Sequence, residues 1–370
     1  MSKKNLKRIL VPFLCLTMLF AASINTYAAI SSTFYTYFVG GSSKYNDYKK
    51  VINSKSAGFY NNVTTTTASM DTLAGNVNTA KSFAAPNDML GADSSCSYTI
   101  QGLCYNTISS VTYTLISAYS NTGNASCIFM SSDNTNWTKI IVGSDKSHFG
   151  GIASTGSYTF IAGTNKLLRI TDSALKTCYD KATSYNNGNI KAVSTLAATN
   201  AKTITLSGIT ASFLTYDTGN DLLWIGEFAD PADGTKTPYI YAFTPSKAES
   251  ASALSSSGST YKSSIPWYSQ GAAIRGGKLT ITRSNVRTPD SINFVSELYC
   301  YENFKPGNSY FGVSPSRSYM LPTMAEGIYL SDSNAYIVFE SNSSEYYKPK
   351  TAGDFIIRCT EVIAVPVSNI

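Results

Sequence analysis

The sequence predicts an all-β protein: a β-propeller of five four-stranded blades, with room for a sixth, behind an N-terminal extension. Three observations point there. A short apolar strand led by Gly or Ser recurs five times, at Gly102, Gly151, Ser212, Gly271 and Gly327, with spacings of 49, 61, 59 and 56 residues. Each is followed by a polar turn and a strand rich in β-branched and aromatic residues. No helical periodicity separates the units, and radial packing of such blades buries both faces of every sheet. A β-sandwich or a pair of them is the competing architecture, but it gives no reason for the Gly-led strand to recur.

The elements follow in order. Residues 29–95 do not fit the repeat; they are rich in Ser, Thr, Asn and Tyr, include the run Thr64 to Thr67, and read as an exposed extension or a degenerate strand pair. Met70, Leu73, Val77, Ala80 and Phe83 sit at helical spacing, so a short amphipathic helix is expected over Ser69 to Phe83. Propeller blades then fill 96–370. Their second strands are Val111 to Tyr119, Tyr158 to Ala162, Leu222 to Phe228, Lys278 to Arg283 and Ala335 to Glu340. Turns such as Ser154 to Ser157, Asp217 to Asp221 and Arg275-Gly276-Gly277 have the chemistry of tight hairpins. Third strands are expected at Ser126 to Ser131, Tyr239 to Phe243, Phe294 to Tyr301 and Asp354 to Cys359, and fourth strands at Lys139 to Val142 and Glu361 to Val367. The Ser-rich Glu249 to Ser264 reads as a loop inserted between the third and fourth blades.

Residues 1–28 have the layout of a signal peptide. Lys3, Lys4, Lys7 and Arg8 precede an apolar run over Ile9 to Ala22, and Thr26-Tyr27-Ala28 supplies a small-x-small cleavage site. Export and a secreted or cell-surface location follow as expectations. The apolar run is shorter than the roughly 20 residues a spanning helix needs, so no membrane insertion is expected. Loss of the four basic residues takes the formal charge from +6 to +2. Such a balance, with Lys and Arg scattered singly, excludes nucleic acid as a partner on electrostatic grounds. Six cysteines follow the leader, Cys96, Cys104, Cys127, Cys178, Cys300 and Cys359; without a CxxC they read as buried small apolar residues, with one or two bridges allowed.

His148-Phe149-Gly150-Gly151-Ile152-Ala153, with Tyr158-Thr159-Phe160-Ile161-Ala162-Gly163 after its turn, resembles the repeat of secreted bacterial β-propeller proteins. Met324-Ala325-Glu326-Gly327-Ile328 with Tyr336 to Ser341 is similar to the last blade of that group. The resemblance covers roughly Cys96 to Val367. It implies the propeller fold but no particular chemistry, because propellers of this kind include lyases, hydrolases and binding modules.

Candidate site residues come from the repeat itself. Gln101, His148, Ser212, Gln270 and Glu326 stand at or near the starts of the inner strands, where side chains converge on the central tunnel. His148 is the only His of the chain, and with Glu326 it forms a candidate catalytic pair of base and acid. Tyr119, Glu227, Arg283 and Glu340, at the ends of second strands, form a second candidate ring for ligand binding: Arg283 for an anionic group, the glutamates for hydroxyls. The same positions also suit plain structural hydrogen bonds and ion pairs. One His excludes a multi-His metal site, and no cofactor is expected. Calcium is conceivable at Asp217 to Asp221 or Asp230 to Gly234, although these segments also make ordinary turns. The reading that follows is an exported propeller binding an extracellular glycan, small molecule, wall component or protein over its tunnel. A lyase or hydrolase using His148 and Glu326 is the alternative, and an envelope-assembly role for the extension is a third.

Overall fold

The computed structural model describes residues 32–47, 67–68, 70–90, 94–234, 236–284, 296–346 and 357–370. The expected signal peptide, and Asp354 of the expected last third strand, lie outside these residues. Five four-stranded blades form a ring. Written from the axis outward, blade 1 is Tyr98–Ile108, Val111–Ser120, Cys127–Ser131 and Trp137–Val142; blade 2 is Gly151–Ser154, Tyr158–Ala162, Lys166–Thr171 and Ala201–Ser207. Blade 3 is Phe213–Asp217, Leu222–Gly226, Tyr239–Phe243 and Tyr261–Ser264; blade 4 is Ser269–Arg275, Lys278–Arg283, Ser296–Tyr301 and Arg317–Leu321. Blade 5 takes Ala325–Leu330, Asn334–Phe339 and Glu361–Pro366 from the C-terminal part and Phe83–Ala84 from the N-terminal part. Each inner strand touches its two neighbours, the fifth packing back on the first.

The apolar strands are buried on both faces, and alternation sorts their side chains between neighbouring interfaces. Ile161 packs between blades 1 and 2, whereas Phe160 and Ala162 pack between blades 2 and 3. Leu223 and Ile225 join that second cluster while Leu222 and Trp224 face blade 4. Tyr336 and Val338 face blade 1, and Ile337 and Phe339 face blade 4. Each interface therefore has its own hydrophobic cluster.

The recurring Gly has a steric cause. A Cβ built at Gly102 would lie 2.6 Å from Ile152 N, one at Gly151 2.4 Å from Leu214 N, and one at Gly327 2.4 Å from Gln101 O. Neighbouring inner strands thus meet backbone to backbone at the axis, which any side chain would prevent. In blade 3 the pattern is displaced: Phe213 stands on the inner strand, and Gly226 beside it leaves room for the phenyl ring.

Four expectations are corrected. The extension is not an exposed appendage: Phe34, Tyr37, Phe38, Tyr45 and Leu73 belong to the cluster between blades 4 and 5, and Phe83–Ala84 pairs with Glu361 and Val362. Its aromatic residues, spaced among polar ones, supply the apolar surface that composition alone obscured. The helix is short, Met70–Gly75, because the chain beyond it is drawn into that strand pairing. Glu361–Pro366 is the third strand of blade 5 rather than a fourth, while Cys359 makes only an isolated bridge to Phe38. Glu249 to Ser264 is not a loop: Tyr261–Ser264 closes blade 3, and Ala253–Ser255 adds in parallel to the outer edge of blade 2.

A similar excursion leaves blade 2 through the helix Asp172–Asp180, capped by Thr171 Oγ1 accepting from Ala174 N at 3.2 Å, and lays Ile190–Leu196 in parallel on the edge of blade 1. These added strands cover edges that would otherwise offer unpaired backbone groups. All six described cysteines are free thiols, five of them buried. No helix among the described residues is long and apolar enough to cross a membrane.

Candidate functional site

At the upper end of the axis, where the inner strands begin, three of them carry a β-bulge. The register shifts at Gln101, at Gln270, and over Glu326-Gly327. A bulge re-aims the extra side chain, so the Gln-Gly and Glu-Gly pairs of the sequence mark positions turned out of the ladder. Two of these side chains meet. Gln101 Nε2 donates to Glu340 Oε1 across the junction of blades 1 and 5, and Glu326 is hydrogen-bonded to the same Glu340 carboxylate. All three residues are buried. Burial first, then the neighbouring Glu340 charge, holds the Glu326 carboxyl proton well above the usual carboxylate range. Glu326 thus stays protonated and donates to Glu340.

Tyr119 and His148 form the next layer. Their rings lie 4.3 Å apart at 36°, and Tyr119 Oη shares a hydrogen bond of 2.9 Å with Tyr346 Oη. Burial and the Glu340 charge raise the Tyr119 pKa, so the phenol stays neutral. Surrounding protein lowers the His148 pKa to about 4, although the residue as a whole is exposed, and contact with water limits that fall. No hydrogen bond or ring contact joins His148 to Glu326 among the described residues; the imidazole stacks on Tyr119 and the carboxyl faces Glu340. The segment after Glu340 lies over this end, with Ser344 N donating to Cys96 O at 2.8 Å and Asn121 Nδ2 to Ser344 Oγ at 3.1 Å.

The remaining candidates stand apart. Ser212 Oγ accepts from Phe228 N at 3.1 Å. Gln270 is half-buried and its side chain makes no hydrogen bond among the described residues. Glu227 is buried and accepts from Thr210 N at 3.2 Å, Lys236 Nζ at 3.1 Å and Tyr241 Oη at 3.4 Å. Arg283 donates from Nε to Trp267 O at 2.9 Å, and from one terminal nitrogen to Glu297 Oε2 and Tyr299 Oη, both at 2.5 Å. The two expected rings are therefore regrouped: Gln101, Glu326 and Glu340 form a cluster under Tyr119 and His148, whereas Ser212, Glu227 and Arg283 are engaged near their own blades and Gln270 stands apart. The Asp217 carboxylate accepts from Gly219 N, Asn220 N and Asn220 Nδ2, and Asp230 Oδ1 accepts from Ala232 N; both are turn hydrogen bonds.

An open cavity of about 240 Å³ lies at the other end of the axis. All five blades line it with the distal halves of their inner strands: Tyr105, Asn106 and Thr107 from blade 1, Ser154 and Thr155 from blade 2, Thr215, Tyr216 and Thr218 from blade 3, Arg275 from blade 4, and Tyr329 from blade 5. Tyr105 and Tyr329 are packed at 5.0 Å. Arg275 is held by Nε and a terminal nitrogen on Asp332 Oδ1, at 2.9 and 2.5 Å. Asn106 is buried; its Nδ2 donates to Asp172 Oδ1 at 2.8 Å and Thr159 Oγ1 at 3.3 Å, while its Oδ1, also buried, has no partner among the described residues. The aligned repeats contain these residues, three to seven positions beyond the ones that drew attention. The signal that could have found them is the recurrence of a Tyr, Ser, Thr or Arg at the far end of each inner strand.

No family model matches the chain, and no curated protein sequence matches it. Solved propeller structures are similar at low identity. Hydrazine synthase of Kuenenia stuttgartiensis aligns at 11% identity over 64% of this chain and 61% of its own, with a TM-score of 0.32. The match thus spans less than two thirds of that protein. The six-bladed fucose-recognising lectin of Aleuria aurantia aligns at 10% identity over 69% and 73%, with a TM-score of 0.32. A GH43_1 enzyme of Xanthomonas citri aligns at 11% identity over 80% and 92%, with a TM-score of 0.39. The fold itself is established by the strand pairing.

Proposed function

We propose that this protein is an exported binding module that takes a small, uncharged, hydroxyl-rich ligand, the terminal sugar of an extracellular glycan, in the lower axial cavity. The observation that carries this reading is the lining: side chains from all five blades converge there, mixing tyrosyl rings with Asn, Ser and Thr. Flat apolar faces beside amide and hydroxyl groups suit a sugar ring, which presents C–H faces and hydroxyl edges. Arg275 is already paired with Asp332, so it does not demand an anion. The size admits about one ring, being below the usual ~300–1,000 Å³ of small-molecule sites. The basic and apolar N-terminus with its small-x-small site supports export.

The test is calorimetric titration with a panel of neutral methyl glycosides, using wild type and the Tyr329→Ala and Asn106→Leu variants. Saturable binding by wild type, weakened about tenfold or more in both variants at an unchanged fold, is expected. Equal binding by all three proteins places the ligand elsewhere. Release of a new product from any glycoside makes the protein an enzyme instead.

A further inference from the structure

The connection between Ser296–Tyr301 and Arg317–Leu321 walls a second cavity, of about 300 Å³, between blades 3 and 4. Trp267, Tyr299, Phe311, Pro266 and Val313 make its apolar sides, with the Trp267 and Phe311 rings at 4.8 Å and 84°. The wall is preformed. Tyr310 N donates to Ser264 O at 2.8 Å, Gly307 N to Ser263 Oγ at 2.9 Å, and Tyr301 Oη to Val313 O at 3.2 Å, which tie the connection to blade 3 and to its own blade.

Two side chains bring donors to this space, the Ser314 hydroxyl on its exposed rim and, deeper, Arg283. The Arg283 guanidinium stacks over Tyr299 at 4.5 Å and is held by Trp267 O, Glu297 and Tyr299, while its second terminal nitrogen has no partner among the described residues. Charge selects against ions of either sign. Glu297 pairs with Arg283 and is buried, with Oε1 unpartnered, so an anion at the free nitrogen would face that carboxylate and a cation would face the guanidinium. A sugar would bring several hydroxyls against indole, phenyl, proline and valine walls, where the Ser314 hydroxyl on the rim could answer only one or two of them. The fitting occupant is a neutral aromatic ring with one carbonyl beside it. We infer that this cavity docks an aromatic side chain of a peptide segment, with Arg283 donating to the neighbouring peptide carbonyl.

The chain carries its own reporter for this site. Of its three tryptophans, Trp137 and Trp224 are fully buried, and only Trp267 reaches solvent, inside the cavity. N-acetyl-L-phenylalaninamide should give a saturable change in tryptophan emission, confirmed by calorimetry, which does not depend on the indole. Benzoate, phenyltrimethylammonium, N-acetylglycinamide and methyl glucoside should each change the tryptophan emission only at concentrations at least about tenfold higher. Phe311→Ala should weaken the aromatic amide about tenfold. Val313→Asp, on an exposed rim, should do so at an unchanged melting temperature, which covers the case in which Phe311→Ala perturbs folding. No saturable response, an equal response to benzoate or the glucoside, or unchanged binding in both variants would overturn the inference. Tyr329→Ala in the axial cavity should leave this response intact, so the two sites fail independently.

Discussion

The two ends of the axis are built from the same five strands and behave oppositely. At the upper end, polar side chains answer one another: Gln101 and Glu326 both bond to Glu340, Tyr119 to Tyr346, and the segment after Glu340 lies across them. At the lower end, Tyr105, Tyr216, Tyr329 and their Thr neighbours face an open cavity. The difference teaches that a ring of polar residues near a propeller axis is not itself a site. A carboxylate satisfied by its neighbours strengthens ring closure, whereas groups left facing empty space remain available to a ligand.

Breaking the backbone contact at the upper end should have the largest effect. Gly327→Val places atoms 2.4 Å from Gln101 O at the junction of the first and last blades, and should destabilise the fold by about 3 kcal/mol or more, or prevent folding, as read by chemical denaturation. Glu340→Ala should come next, at about 2–3 kcal/mol, since it strands Gln101 and Glu326 without their shared partner.

Glu326→Gln separates charge from hydrogen bonding. The ordinary Glu value is 4.5 and the folded Glu326 is held well above it. As pH rises through the unfolded value, the unfolded chain loses this proton while the folded chain keeps it. Stability therefore falls with rising pH until the folded group also ionises. Glutamine there should flatten that fall, leaving the variant's melting temperature nearer its acid value at neutral pH; a variant curve parallel to wild type would remove Glu326 from the account. The smallest effect belongs at the lower rim, where Thr218→Ala changes an exposed residue and should alter stability by no more than about 0.5 kcal/mol. A loss comparable to that of Glu340→Ala would erase the contrast between the two ends.

How far the sequence was legible differs from residue to residue. Gly102, Gly151, Gly271 and Gly327 make the blade repeat legible in the sequence, since a backbone contact made in several blades leaves the same residue at each. Gln101 and Glu340 read from the sequence as ligand groups and Glu326 as a catalytic acid, because nothing in the linear order tells that Glu340 answers the other two. Phe34, Phe38 and Tyr45 were passed over, as their polar neighbours masked a face that only blades 4 and 5 complete. Phe311 falls outside every repeat signal, and only the fold brings Trp267, 44 residues earlier, up against it.

The sequence by itself determined the inner and second strands, the tight turns and a count of five or six blades, since each depends on contacts within about 60 residues: β-branched runs, hairpin chemistry and a repeated Gly. Only the tertiary structure decided that the N-terminal segment closes blade 5, that the edge strands of blades 1 and 2 receive parallel additions, and which end of the axis is open. Those outcomes depend on which groups from distant segments satisfy one another when the ring closes, and hydrogen-bond satisfaction across an interface leaves no period in the chain.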